Sequence, residues 1–171
     1  KSDLTVLNIS EKIDVDADPY LAEDVFFKIG LACSAIDSLQ NAEKAFNNAL
    51  SIAESLNDIY YKTIITSELG YNSYLQNNLN KAQSYISKAL SLAKENSLNQ
   101  LAGVQNLYLG KVAFAKNNLS SALNYFSSAS LIAEQEMDYN NVFESEYYFA
   151  KTLIRLNKTF EAEKHFLNAI N

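Results

Sequence analysis

Residues 69–93 read LGYNSYLQNNLNKAQSYISKALSLA, and residues 109–133 read LGKVAFAKNNLSSALNYFSSASLIA. Set one above the other, the two stretches keep Leu-Gly at the start, Asn-Asn-Leu in the middle and an alanine-rich run at the end, at an offset of 40 residues. The same offset carried through the chain aligns Gly30, Gly70, Gly110 and Ala150, then Ala42, Ala82, Ala122 and Ala162. Phe46, Ile86, Phe126 and Phe166 form the next column, and Ala49, Ala89, Ala129 and Ala169 the one after it. A fixed period of this kind is the signature of a repeat architecture.

The columns have a physical reading. Apolar residues recur every three or four positions, and Pro19 is the only proline in 171 residues. Packed helices account for both facts. A small residue in the first column lets one helix approach its partner, and the alanine of the second column is its counterpart on the facing helix. The large residue one turn further on fills the space between neighbours. A lone helix pair cannot bury its apolar stripe, so pairs must stack, and the expected product is an all-α solenoid, an α–α superhelix.

Each unit therefore holds two helices. In the second unit they are predicted at about 59 to 76 and 80 to 96, joined by Asn77, Asn78 and Leu79. The matching turns are Asp37-Ser38-Leu39, Asn117-Asn118-Leu119 and Asn157-Lys158-Thr159. Asparagine and aspartate tolerate left-handed backbone and bond nearby amides, as such turns require; Asn80 and Ser120 are then placed to cap the helices that follow. Breaks between units are expected near Ser55 to Asp58, Asn96 to Asn99 and Met137 to Asn140. Asp18 before Pro19 is a start signal for a helix over 19–36. The repeats are thus assigned to 18–57, 58–97, 98–137 and 138–171. Residues 1–17 form an N-terminal segment. There Val6, Ile9 and Ile13 suit the second helix of a truncated preceding repeat, and a loose tail closed by Asp14 and Asp16 is the alternative. The last helix ends with its alanine-phenylalanine face still open, a face that solenoids cover with a capping helix or a partner.

Composition narrows the functions. There are 14 basic against 20 acidic residues, a formal net charge of −6, and no basic run. Nucleic acid binding needs phosphate-neutralising charge, so direct contact is not expected. No stretch approaches the roughly 18 apolar residues of a membrane span, so this segment is not expected to insert. Compartment stays open. The cytoplasm is preferred, and the extracytoplasmic domain of a membrane-anchored sensor is the alternative. Cys33 cannot make an internal bridge and reads as a small buried hydrophobe.

These columns resemble the tetratricopeptide repeat. The family's small residue, alanine, aromatic and alanine correspond to Gly70, Ala82, Ile86 and Ala89, and to Gly110, Ala122, Phe126 and Ala129, with Leu69 and Leu109 before the small residue. The resemblance covers about residues 19 to 171. The chain departs from the family in its period of 40 against about 34, and in having Phe26, Thr66, Asn106 and Glu146 where the family carries tryptophan. Longer units of this kind look like the repeat arrays of bacterial regulatory and sensor proteins, and like eukaryotic scaffold arrays that bind peptide segments.

The resemblance implies that the first helices of successive pairs line a concave face. Phe27, Leu31, Tyr71, Tyr74, Leu107, Lys111, Phe114, Tyr147, Lys151 and Arg155 would be exposed there. The strip is aromatic in the middle and basic toward its C-terminal part. It would take an extended or helical peptide with apolar side chains and an acidic group near Lys111, Lys151 and Arg155. The plain alternative is that these rings are packing residues. A clamp for chaperone-tail carboxylates is not implied, because the asparagines it uses are replaced by Leu31, Tyr71, Lys111 and Lys151.

Nothing in the sequence converges on catalysis. His165 is the one histidine, more than three repeats from Cys33, and reads as a structural or surface residue. Glu43, Glu54, Glu134, Glu161 and Glu163 read as solvated helix faces, and the four glycines are scattered singly rather than forming a phosphate loop. No cofactor or metal is expected. The leading expectation is a non-catalytic protein- or peptide-binding array, the sensory or scaffolding part of a larger regulatory protein. Two alternatives stand beside it: a structural spacer or self-association module, forming a homo-oligomer through its C-terminal repeat face, and a small-molecule-sensing regulatory domain.

Overall fold

The computed structural model describes residues 13–170. Among them the chain is all-α. The helices are α1 Pro19–Ala35, α2 Leu39–Leu56, α3 Ile59–Leu75, α4 Leu79–Glu95, α5 Asn99–Ala115, α6 Leu119–Gln135, α7 Tyr139–Arg155 and α8 Thr159–Ile170. Each predicted helix is present to within about a residue. The expected N-terminal segment lies largely outside the described residues. Of its described end, Ile13 and Val15 pack on the core of the first helices, and the Asp14 carboxylate accepts the amides of Asp16 and Ala17 at 3.2 Å.

Helices begin every 20 residues, because turns within a repeat and turns between repeats share one geometry. Asp37, Asn57, Asn77, Ser97, Asn117, Met137 and Asn157 all have φ between 54° and 61°. At each, the following amide donates to a carbonyl five residues back at 2.8–2.9 Å, as Ser38 does to Cys33 and Asn118 to Ala113. The left-handed residue itself donates to a carbonyl three residues back, at 2.9–3.3 Å. These are Schellman caps, which satisfy the last carbonyls of each helix. Asparagine and aspartate fill most of these positions, as their tolerance of left-handed backbone predicts.

The caps at the other end correct the sequence reading. Asn78 and Asn118, not Asn80 and Ser120, accept the amides of Lys81 and Ser121. Each helix starts at the leucine, so the second asparagine of the pair is the capping residue and the first supplies the left-handed turn. Asp18, Asp58 and Asp138 cap their helices in the same manner, at 3.0, 2.9 and 3.2 Å.

The chain divides into two compact units, one ending at Tyr85 and one beginning at Ile86, within α4. In the first, α1 packs on α2 and α2 on α3 around Phe26, Phe46, Ile52, Ile65 and Leu69, with alanines at 22, 42, 49 and 53 between them. In the second, α5 through α8 pack consecutively, and α7 also reaches α5. Within each unit consecutive helices pack on one another, as they do in α–α superhelical repeats. The repeat columns lie in these cores. Ala42, Ala82, Ala122 and Ala162 are all buried, as are Phe46, Ile86 and Phe126.

The glycine column works by space and not by backbone freedom, since no described glycine has positive φ. A Cβ at Gly30 would overlap the Phe46 ring, and one at Gly110 the Phe126 ring. The expected pairing of small with small is therefore refined: the large residue of the facing helix lies directly on the glycine.

Candidate functional site

On α7, residues 147, 151 and 155 are spaced one turn apart and share a face. In the second unit this face meets α5 and its following turn. The Arg155 guanidinium lies 4.7 Å from the Phe114 ring centre and donates to the Phe114 carbonyl at 3.2 Å and to Asn117 Oδ1 at 2.8 Å. It thus ties the end of α7 to the α5–α6 turn. Lys151 Nζ stands 5.0 Å from the Tyr148 ring, 5.1 Å from Tyr147 and 5.9 Å from Phe114. Tyr148 meets Tyr147 edge to face at 5.5 Å and Phe114 at 6.2 Å. Ring faces attract a cation electrostatically, so the three rings hold the ammonium in place. Among the described residues no carboxylate lies within ion-pair reach of Lys151.

Two members of the predicted strip are not surface residues. Leu107 is 1% exposed and Lys111 4%. Both face α7, which lies across α5. Lys111 pairs with Glu144 of α7 at 2.7 Å and sits 5.3 Å from the Tyr148 ring and 5.5 Å from Tyr108. Its charge is neutralised where it stands, and it joins two helices. In the first unit Phe27 is a packing residue, tilted against Phe46 at 6.1 Å and edge-on to Tyr61 at 5.8 Å. Leu31 is exposed, and Tyr71 and Tyr74 stack on each other at 5.8 Å with both rings partly buried. Phe114, Tyr147, Lys151 and Arg155 are the strip residues that gather into one site.

Three polar arrangements escaped the sequence reading. Glu146, in the column where the resembling family carries tryptophan, is buried between α6, α7 and α8. It accepts Ser130 Oγ at 2.8 Å and contacts His165 Nδ1 at 2.7 Å, while Phe149 stacks on the imidazole at 4.1 Å. The serine donates to the carboxylate and not to the imidazole, so Glu146 is the centre on which both groups converge. The one available signal was a carboxylate in a core column. Glu43, read as solvated, instead bonds Lys81 and Gln76 and links α2 to α4; the Lys81 bond holds its carboxyl below the usual range.

The third arrangement is Glu23 on α1. Its side chain is 2% exposed, and Oε1 has no hydrogen-bond partner among the described residues. Burial, and then the charges of Asp58 and Asp24, push its carboxyl up to about 7. Asp24 accepts the Tyr61 hydroxyl at 2.8 Å as well as Lys28, which lowers its own carboxyl. That bond to Asp24, with burial, raises the Tyr61 hydroxyl to about 12. Among the described residues no group of three His, Cys, Asp or Glu side chains is placed to hold a metal, and no helix is long and apolar enough to cross a membrane.

Comparison with protein-family models finds no match, and comparison with curated proteins finds no significant relative.

Proposed function

We propose that this chain is a non-catalytic recognition array of tetratricopeptide type, part of a larger regulatory protein, and that its second unit binds a peptide carrying an acidic group beside an apolar side chain. The observation behind this reading is Lys151. It is a partly buried ammonium steadied by three aromatic rings and, among the described residues, not paired with a carboxylate. A ligand carboxylate would supply the missing counter-charge in a setting where charge-assisted bonds are stronger than in water. Arg155 is held beside it, and Phe114 and Tyr147 offer apolar surface for the flanking residue, a composition common at binding hot spots.

The test is a panel of short fluorescein-labelled peptides with one glutamate flanked by leucine or phenylalanine, and a matched panel with lysine in place of glutamate. The acidic panel should bind preferentially, and Lys151→Ala should weaken it by about tenfold or more. Equal binding of both panels, or full affinity in the variant, would refute the assignment of this site.

A further inference from the structure

We propose that α1 is a pH-operated clasp on the first unit, held against its neighbours while the Glu23 side chain carries a proton and loosened when it does not. Glu23 is buried, and its Oε1 has no hydrogen-bond partner among the described residues. In its column the following units carry Thr63, Gly103 and Phe143, so the packing of the repeat calls for no charge there. Thr63, buried at the equivalent place, satisfies its hydroxyl on the Ile59 carbonyl of its own helix at 2.7 Å. An ionised carboxylate has no such outlet, because it can only accept and a helix interior offers no free amide.

The groups around Glu23 leave it as the one that takes the proton. On α1, the Asp24 carboxylate accepts Lys28 Nζ at 2.7 Å and the Tyr61 hydroxyl of α3 at 2.8 Å, which hold it ionised. At the start of α3, Asp58 accepts the Tyr61 amide at 2.9 Å as the helix cap. The cation nearest that turn, Lys62 of α3, is engaged by Glu54 of α2 at 3.6 Å. Two anions are thus fixed by bonds beside a third carboxyl that has none. Ionised Glu23 is a buried charge facing like charges, and separating α1 from the α2–α3 turn relieves it. Burial first, then Asp58 and Asp24, raises this carboxyl to about 7, which puts the change near neutral pH. The folded value lies above the unfolded one, so docking is favoured at low pH and loses that support as pH rises through about 7. Opening bares a defined surface. Gly30 of α1 lies on the Phe46 ring of α2, and Phe26 and Cys33 are buried in the same core.

Amide hydrogen exchange of the full chain, corrected for intrinsic exchange rates and compared with Glu23→Gln, tests this. Glutamine keeps the size of the side chain and takes no proton. A carboxyl moving between 4.5 and about 7 makes opening roughly twentyfold more favourable at about pH 8 than at about pH 5.5, relative to the variant. Corrected exchange over Pro19–Ala35 should rise by that factor in the wild type and stay level in the variant, while Asn99–Ala115 of the second unit shows no difference. Cys33, the buried cysteine of α1, gives a second reading that does not depend on the variant: its alkylation by iodoacetamide, referred to free N-acetylcysteine at each pH, should rise by the same factor. A wild-type to variant ratio that is the same at both pH values overturns the inference, as does Cys33 labelling without the rise. An equal pH effect over Asn99–Ala115 also overturns it, because a loss of overall stability would then account for the response without a clasp.

Discussion

Replacing Glu23 by glutamine should make the protein less sensitive to rising pH. The wild-type carboxyl stands at about 7 in the folded chain against an ordinary value of 4.5, because the charged form is buried and faces Asp58 and Asp24. A folded-state value above the unfolded one favours the native state fully below about 4.5, and the advantage disappears as pH rises through about 7. The interval of roughly 2.5 units corresponds to about 3 kcal/mol at the limit, with each unit near 1.4 kcal/mol. Most of that falls between about pH 5 and pH 8, where the wild type should lose about 2 kcal/mol that the glutamine variant retains. Urea denaturation followed by far-UV circular dichroism at several pH values reads the difference, since other titrating groups are common to both proteins. The two stability curves should coincide at low pH, separate between about pH 4.5 and pH 7 with the variant higher, and keep that separation at higher pH. Parallel curves would mean that Glu23 is solvated or compensated in solution and that its burial is not what sets its charge.

Gly110→Ala should lower stability by about 1–2 kcal/mol despite alanine's better helix propensity, because its Cβ meets the buried Phe126 ring; a thermal melt at or above wild type would show that the ring can move aside. Met137 holds a left-handed conformation at φ 56° without the polar side chain that eases it, so Met137→Gly should raise stability by about 1 kcal/mol by chemical denaturation, while Asn77→Gly should change it little. Lys111→Ala and Lys151→Ala should separate structure from recognition. The first leaves a gap between α5 and α7 and an unpaired Glu144 and should lower the melting temperature by several degrees. The second should alter peptide affinity with little effect on the melt.

Much of the fold was legible because helix signals are local. The 40-residue offset, the apolar spacing and the asparagine turns fixed the number and limits of the helices from Pro19 onward. The misplacement of the caps at Asn80 and Ser120 was an error of two residues, caused by giving both asparagines of the turn to the loop. The candidate strip was legible in part. The resemblance put Tyr147, Lys151 and Arg155 together on one face of α7, where the structure has them, but it also put Leu107 and Lys111 on an open surface that α7 covers.

The sequence by itself determined the period, the helices and the columns that are buried in their cores, since these depend on contacts one or two turns away or across one short turn. Tertiary structure alone decided which strip residues reach solvent, that Glu146 faces His165 and Ser130, that Glu43 reaches Lys81, and that Glu23 is buried with an unmatched oxygen. Those outcomes depend on what is stacked against a helix from elsewhere in the chain. The identity of the covering side chain, and not the periodicity of the covered one, sets whether a charge is paired, buried or left for a ligand.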